Sequence, residues 1–256
     1  MTIPDKKHGL EAFRIAGLPP DFYYIPNFIT AEEEASILHK IPAQRWTHLT
    51  HRRLQAHPST LTKNNTLLAA PLPVYLTRPI IPRFKELSIF DNTPYQQPNH
   101  VLINEYKPGE GIMPHEDGNA YAPVVATVSL GGSLCLDIIA KPTSPEQTRD
   151  LEADATRLLQ GLNGFTLPTR IFQEPRSLLI TTGDAYRDLM HGIEAIEIDE
   201  DLNADTVANW DLVADRESIE KNGGQSMRET RISLTYRDVL RVSSAASKVL
   251  GGFGKR

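Results

Sequence analysis

His115 and Asp117 stand two residues apart in the stretch NHVLINEYKPGEGIMPHEDG, which runs from Asn99 to Gly118. In extended backbone, alternate side chains share a face, so an imidazole and a carboxylate at this spacing can reach one metal ion. The pair alone carries little weight, because H-x-D arises by chance and also suits an ordinary surface turn. A third donor is His191, in GDAYRDLMHGI, expected to follow a strand that stops at a Gly183-Asp184 turn. Gly192, next to it, permits close backbone approach. Two histidines and one carboxylate with positions left open form a facial site suited to non-haem Fe(II). Catalytic zinc takes similar ligands, so the three residues leave the metal open.

A second group lies near the C-terminus. In RISLTYR, period-two alternation puts Arg231, Ser233, Thr235 and Arg237 on one face and Ile232, Leu234 and Tyr236 on the other. An exposed edge strand gives this pattern, and so does a strand whose polar face lines a cavity. In a cavity, two guanidinium groups are costly unless anions meet them, and arginine pairs a carboxylate bidentately. A small dicarboxylate joining metal to arginine explains both groups at once. Asn104 and Tyr106 share a face of the strand leading into His115, and an amide and a phenol can both donate to carboxylate oxygens.

The most basic stretch, Arg45–His57, carries Arg45, Arg52, Arg53 and three histidines with no acid. It reads either as a solvated strand-and-loop edge or as a phosphate-contacting patch with Trp46 as a stacking face. The net charge of −5 lacks the basic signature of many nucleic-acid binders, although a local patch can override it. Cys135 is the only cysteine, which excludes an intramolecular disulfide and fits a reducing compartment, nucleus or cytoplasm. The first residues have no apolar core of a secretory signal, no apolar run is long enough for a membrane span, and no obligate protein partner is evident.

These side chains need a scaffold. Thr30 and Glu33 form a capping box ahead of the helix AEEEASILHKI. Residues 58–73 read as loop, and Pro79 and Pro82 interrupt the helical spacing that resumes over Arg83–Phe90. Strand signals follow at His100–Tyr106, Val124–Leu130 and Leu134–Ile139, the last two joined by a Gly131-Gly132-Ser133 hairpin. A helical insertion, opened by a second capping box at Ser144 and Gln147, separates these from Arg170–Gln173, Ser177–Thr182 and Ile193–Ile198. Glu197–Glu220 holds nine acids and one arginine and reads as a solvated excursion with a short helical turn near Trp210. The last strand lies within Arg228–Val242, ahead of a small-residue, flexible tail. The pattern predicts one mainly β domain with flanking helices, a sandwich or jelly roll. Its parts are an N-terminal layer at 13–98, a β-rich body at 99–242, an insertion at 141–169 and an acidic loop at 197–226.

Asn104-x-Tyr106, His115-x-Asp117, His191 and Arg231-x-Ser233-x-x-x-Arg237, in this order, resemble the AlkB family of Fe(II)/2-oxoglutarate dioxygenases. The resemblance covers roughly residues 100–240. It implies a double-stranded β-helix (jelly roll) and iron held by His115, Asp117 and His191. It further implies 2-oxoglutarate held by Asn104, Tyr106 and Arg231, with Arg237 near the metal-side carboxylate and the Asp ligand. O2 is the implied co-substrate, and alkylated DNA or RNA bases the implied substrate, with Arg45, Trp46, Arg52 and Arg53 the local residues suited to contact them. Ser233 replaces the family founder's asparagine, and the His115–His191 separation exceeds the compact family spacing. Hydroxylation or demethylation of a protein or small molecule, a weakly catalytic 2-oxoglutarate-binding module and a zinc hydrolase are the competing readings.

Overall fold

The computed structural model of the chain describes residues 9–141 and 169–243. The second capping box and the insertion helix it was expected to open lie outside them. Early in the chain come β1 (Phe22–Ile25), α1 (Ala31–Lys40), β2 (Thr47–His48), β3 (Arg53–His57) and β4 (Thr66–Leu68), then α2 (Val74–Thr77) and α3 (Ile80–Glu86). The middle of the chain forms β5 (His100–Tyr106), β6 (Ile112–His115), β7 (Tyr121–Gly131), β8 (Leu134–Ala140), β9 (Thr169–Gln173) and β10 (Leu178–Thr182). After these come α4 (Gly183–Asp188), β11 (Leu189–Ile193), β12 (Ile198–Asp199), α5 (Arg216–Lys221), β13 (Ser226–Met227), β14 (Arg231–Val239) and β15 (Arg241–Ser243).

Two antiparallel sheets carry the architecture. The larger runs β1-β10-β7-β14-β5-β3-β2 and the smaller β6-β11-β8-β9. From β5 onward the chain crosses repeatedly between them: β5, β7, β10 and β14 lie in the large sheet, and β6, β8, β9 and β11 in the small one. Four strands on each side, exchanged in this way, make a jelly roll. From the N-terminal part of the chain, β1, β2 and β3 extend the large sheet at both edges.

Alternation along β14 sorts the two faces of the large sheet. Leu234 and Tyr236 join a core with Phe84, Leu76, Ile80 and Ile37 from the helices, and the Tyr236 hydroxyl donates to the Leu76 carbonyl at 2.8 Å. The capping box forms as expected: the Glu33 amide donates to Thr30 Oγ1 and the Thr30 amide to Glu33 Oε2. Arg83 of α3 donates to both Glu33 carboxylate oxygens at 2.8 Å, tying the helices together. The opposite face of the sheet meets the small sheet through Phe22, Tyr24, Leu136, Ile138 and Leu179, leaving a pocket at one end.

Five local expectations are corrected, the first being the hairpin at Gly131-Gly132-Ser133: β7 and β8 flank that turn but lie in different sheets. Gly183-Asp184 opens α4 rather than ending in a turn; Gly183 has φ +54°, and a Cβ there would sit 2.7 Å from the Asp21 carboxylate. The strand expected at Ile193–Ile198 lies instead at Leu189–Ile193, which puts His191 inside a strand, in register with β8. Residues 58–73 contain β4, whose parallel partner β15 lies far along the chain. The acidic excursion is not merely solvated: Leu202, Val207, Trp210, Val213 and Ile219 are buried with Cys135 and Phe172 against the small sheet. Eight of its nine acids face water, while Asp199 is buried and paired with Arg228, and its apolar residues close a third core, with the expected helical turn at Trp210–Leu212.

Candidate active site

The two histidines are brought together by strand pairing. His115 ends β6 and sits opposite His191 of β11, with ring centroids 4.5 Å apart. Gly192 explains how the strands come so close, since a Cβ there would lie 3.1 Å from the Pro114 nitrogen. His115 Nδ1 lies 2.9 Å from the Met113 carbonyl, a contact made when Nδ1 carries the proton and donates it. That tautomer leaves Nε2 with a free lone pair. Burial pulls His191 down to about 4, against the opposing pull of Asp117, so its imidazole is neutral near pH 7 and able to ligate a metal.

Asp117 follows β6, and its carboxylate is ion-paired with Arg237 of β14 inside the pocket. Burial favours its neutral form, but Arg237 and the two histidines outweigh that and hold it below the usual carboxylate range. The Tyr186 hydroxyl of α4 donates to the Gly118 carbonyl at 2.7 Å, fixing the loop behind Asp117. His115, Asp117 and His191 line one pocket. Among the described residues, however, no three histidine, cysteine, aspartate or glutamate side chains converge into a closed metal-binding group. The donors fit a divalent transition metal in chemistry, two imidazoles and one carboxylate. Asp117 is engaged by Arg237.

Across the pocket, Arg231 is 2% exposed and, among the described residues, pairs with no carboxylate. Its Nη2 donates to Ser129 Oγ at 2.8 Å and to Gln173 Oε1 at 2.9 Å, while its Nε is buried without a partner. Burial pulls it down to about 10, which leaves it cationic at neutral pH. Asn104 Oδ1 and Arg237 Nε are likewise buried and unpartnered. Tyr106 and Asn104 of β5 lie opposite Arg231 and Ser233 of β14, so all four side chains line the same wall. Burial raises the Tyr106 phenol despite the nearby arginines, keeping it a hydrogen-bond donor. Buried guanidinium donors left short of partners, as at Arg231 and Arg237, are the signature expected of a wall that meets an anion.

The basic segment divides. Arg53 pairs with Glu105 of β5 at 2.6 Å and lies over the Trp46 ring, 4.5 Å from its centroid, covering one face of the indole. Arg45 faces His57 Nδ1 at 3.2 Å and donates to the Ala56 and Pro58 carbonyls at 3.3 Å. Only Arg52 of the four lines the pocket. Ser129, Gln173 and Tyr186 escaped the sequence reading. Their strand and helix positions carry no motif, and only long-range register brings them to the site.

A family model described as the 2OG-Fe(II) oxygenase superfamily matches residues 21–237. The chain is 34% identical over 243 residues to a Danio rerio protein described as probable RNA/DNA demethylase ALKBH6, across 92% of this chain and 93% of that one. It is 29% identical over 225 residues to the uncharacterized protein L905 of Acanthamoeba polyphaga mimivirus, covering 86% and 85%. The solved structure of OsALKBH1 shares the fold at a TM-score of 0.50 and 14% identity, over 86% of this chain and 99% of that one. Jelly-roll strands, site geometry and a family match spanning both sheets lead to one assignment: the chain belongs to the 2OG-Fe(II) oxygenase superfamily and is a dioxygenase.

Proposed function

We propose that this dioxygenase binds Fe(II) and 2-oxoglutarate in the pocket between its sheets and oxidatively removes alkyl groups from N-alkylated bases of DNA or RNA. One observation carries the cofactor assignment. The His-His-Asp donors share a pocket with Arg231, a buried guanidinium paired with no carboxylate among the described residues. In this reading His115, Asp117 and His191 hold the iron. Arg231 takes the distal carboxylate of 2-oxoglutarate, with Tyr106, Asn104 and Ser233 beside it, and Arg237 steadies Asp117.

Iron, 2-oxoglutarate and O2 together supply hydroxylation of a substrate C–H bond, with 2-oxoglutarate converted to succinate and CO2; a hydroxylated N-methyl group then sheds formaldehyde. The protein's part is placement. Ser129 Oγ and Gln173 Oε1 accept from Arg231 and so fix the guanidinium that orients the co-substrate. Leu136, Ile138 and Ile193 line the pocket with apolar surface that keeps water from the reacting atoms. No side chain is required as a general base. The nucleic-acid part is supported by the description of the Danio rerio relative.

The test has two stages. Anaerobic titration with Fe(II) and 2-oxoglutarate should give a weak visible charge-transfer band that is lost in Arg231→Ala and His191→Ala. Incubation in air with an N-methylated single-stranded oligonucleotide should release formaldehyde and succinate in equal amounts. The absence of a band, with zinc retained instead, overturns the cofactor reading. A band with turnover on peptides or small molecules and none on oligonucleotides overturns the substrate.

A further inference from the structure

We infer that Arg52 is the residue with which this pocket grips a phosphate of an unstacked nucleotide. The inference deepens the nucleic-acid reading above and rests on it. Arg52 sits at the tight turn between β2 and β3, where the Leu49 amide donates to the Arg52 carbonyl at 2.9 Å. Its neighbours Leu49, Thr50 and His51 are exposed, so the turn stands at the protein surface. The Arg52 side chain nevertheless reaches the pocket wall that holds Asn104, Tyr106 and Arg231. It is half-buried there, and its Nε is buried with no hydrogen-bond partner.

The other cations of this region are committed. Arg53 is neutralised by Glu105, Arg45 is spent on His57 and two carbonyls, and Arg237 is paired with Asp117. Arg231 is too deeply buried for a polymer to touch. Among the described arginines that line the pocket, Arg52 is the one that joins it to the surface.

Charge says what it waits for. Among the described residues, three arginines and one aspartate line the pocket, a surplus of two positive charges in a chain whose net charge is −5. A divalent iron and a 2-oxoglutarate dianion cancel each other, so the loaded site keeps that surplus. A concave, positively charged site with low-dielectric walls focuses its field on an incoming anion. The flat guanidinium fork matches phosphate oxygens in pairs. One phosphate on Arg52 registers a nucleotide at the mouth without consuming the group that binds the co-substrate.

The experiment measures binding of a fluorescein-labelled single-stranded oligonucleotide to protein loaded anaerobically with Fe(II) and 2-oxoglutarate. Fluorescence anisotropy is read between 50 and 300 mM salt for wild type, Arg52→Ala and Arg52→Lys. Arg52→Ala should weaken binding on the order of tenfold at low salt and flatten the log–log salt slope by about 0.7, the value for one phosphate on a single strand. Arg52→Lys should keep the slope while losing part of the affinity. The 2-oxoglutarate affinity, read from the visible band, should be unchanged in both. An unaltered slope in Arg52→Ala overturns the inference and leaves the nucleic-acid reading standing. A parallel loss of 2-oxoglutarate affinity assigns Arg52 to the co-substrate and overturns it too. Failure of the wild type to bind any oligonucleotide removes the nucleic-acid reading, and this inference falls with it.

Discussion

Arg237 on β14 and Asp117 after β6 form an ion pair that bridges the two sheets, with side chains only 8% and 7% exposed. A buried pair gains little net energy when formed, but removing one partner strands the other charge in low dielectric. Arg237→Ala should therefore destabilise the metal-free protein by about 3–5 kcal/mol, read as a lower urea midpoint. In Asp117→Asn, the same change should cost much less, because no carboxylate is left unpaired. Equal losses in the two backgrounds would show that the pair does not couple the sheets.

Gln173 offers a sharper test of the anion wall. Its Oε1 accepts from Arg231 at 2.9 Å, and it is 2% exposed. Gln173→Glu keeps the shape and supplies a carboxylate where Arg231 lacks one. The variant should fold at least as stably as wild type, yet bind 2-oxoglutarate more weakly by about 1.5–3 kcal/mol, the worth of a hydrogen bond to a charged group. Gln173→Leu, which leaves Arg231 cationic, should lose less. Titration of the visible band separates the two, and tighter binding in Gln173→Glu would refute the role given to Arg231.

Two buried histidines outside the metal donors set a pH dependence. Burial, reinforced by Arg45, pulls His57 down to about 4; burial and Arg237 do the same to His100, whose ring nitrogens have no partners. Unfolded, each has a pKa of about 6.5. Between these values the unfolded chain binds more protons than the folded one. Their stabilising contribution is therefore complete above pH 6.5 and is lost as the pH falls towards 4, by up to about 1.4 kcal/mol per unit per histidine. Urea midpoints should be level from pH 8 to 7 and fall from 6.5 to 5, and His57→Gln should remove its share of that slope. A slope left unchanged by His57→Gln and by His100→Gln would contradict the burial of those rings.

Much of this was legible because it depends on short periods. Alternation along β14 separated Arg231, Ser233, Thr235 and Arg237 from Leu234 and Tyr236, and the sheet keeps that division. The Thr30–Glu33 capping box formed because both partners lie within one turn. What stayed hidden depends on register between distant segments. Arg53 meets Glu105 only because β3 pairs with β5, 52 residues on in sequence, and that pairing removes Arg53 from the patch its local composition suggested. The apolar residues of the acidic excursion, Leu202, Val207, Trp210, Val213 and Ile219, are spaced irregularly, so neither helix nor strand periodicity exposes them as a core-facing set. The Gly183-Asp184 pair carries the composition of a turn, but Asp21 accepts from the Asp184 amide at 3.1 Å and starts a helix there instead.

The tightest constraint on the paired histidines lies a few residues away, at Gly111. A Cβ at Gly111 would collide with the Ile193 carbonyl and stand 3.0 Å from the Ala195 nitrogen, both backbone atoms at the end of β11. Flexible side chains could yield to an added methyl, but these atoms cannot move without shifting the strand. Since β6 pairs with β11 both at Ile112–Ile193 and at His115–His191, the displacement is passed along the pair to the imidazoles. Gly111→Ala should lower stability by about 1–3 kcal/mol, the usual range for overpacking, and should weaken Fe(II) binding by more than Gly109→Ala, a matched control. Gly109 has open space around its Cβ position but a φ of +79°, so its substitution strains the backbone without pressing on β11. If both variants lose stability to the same extent and bind Fe(II) equally well, the spacing of β6 and β11 does not set the histidine pair.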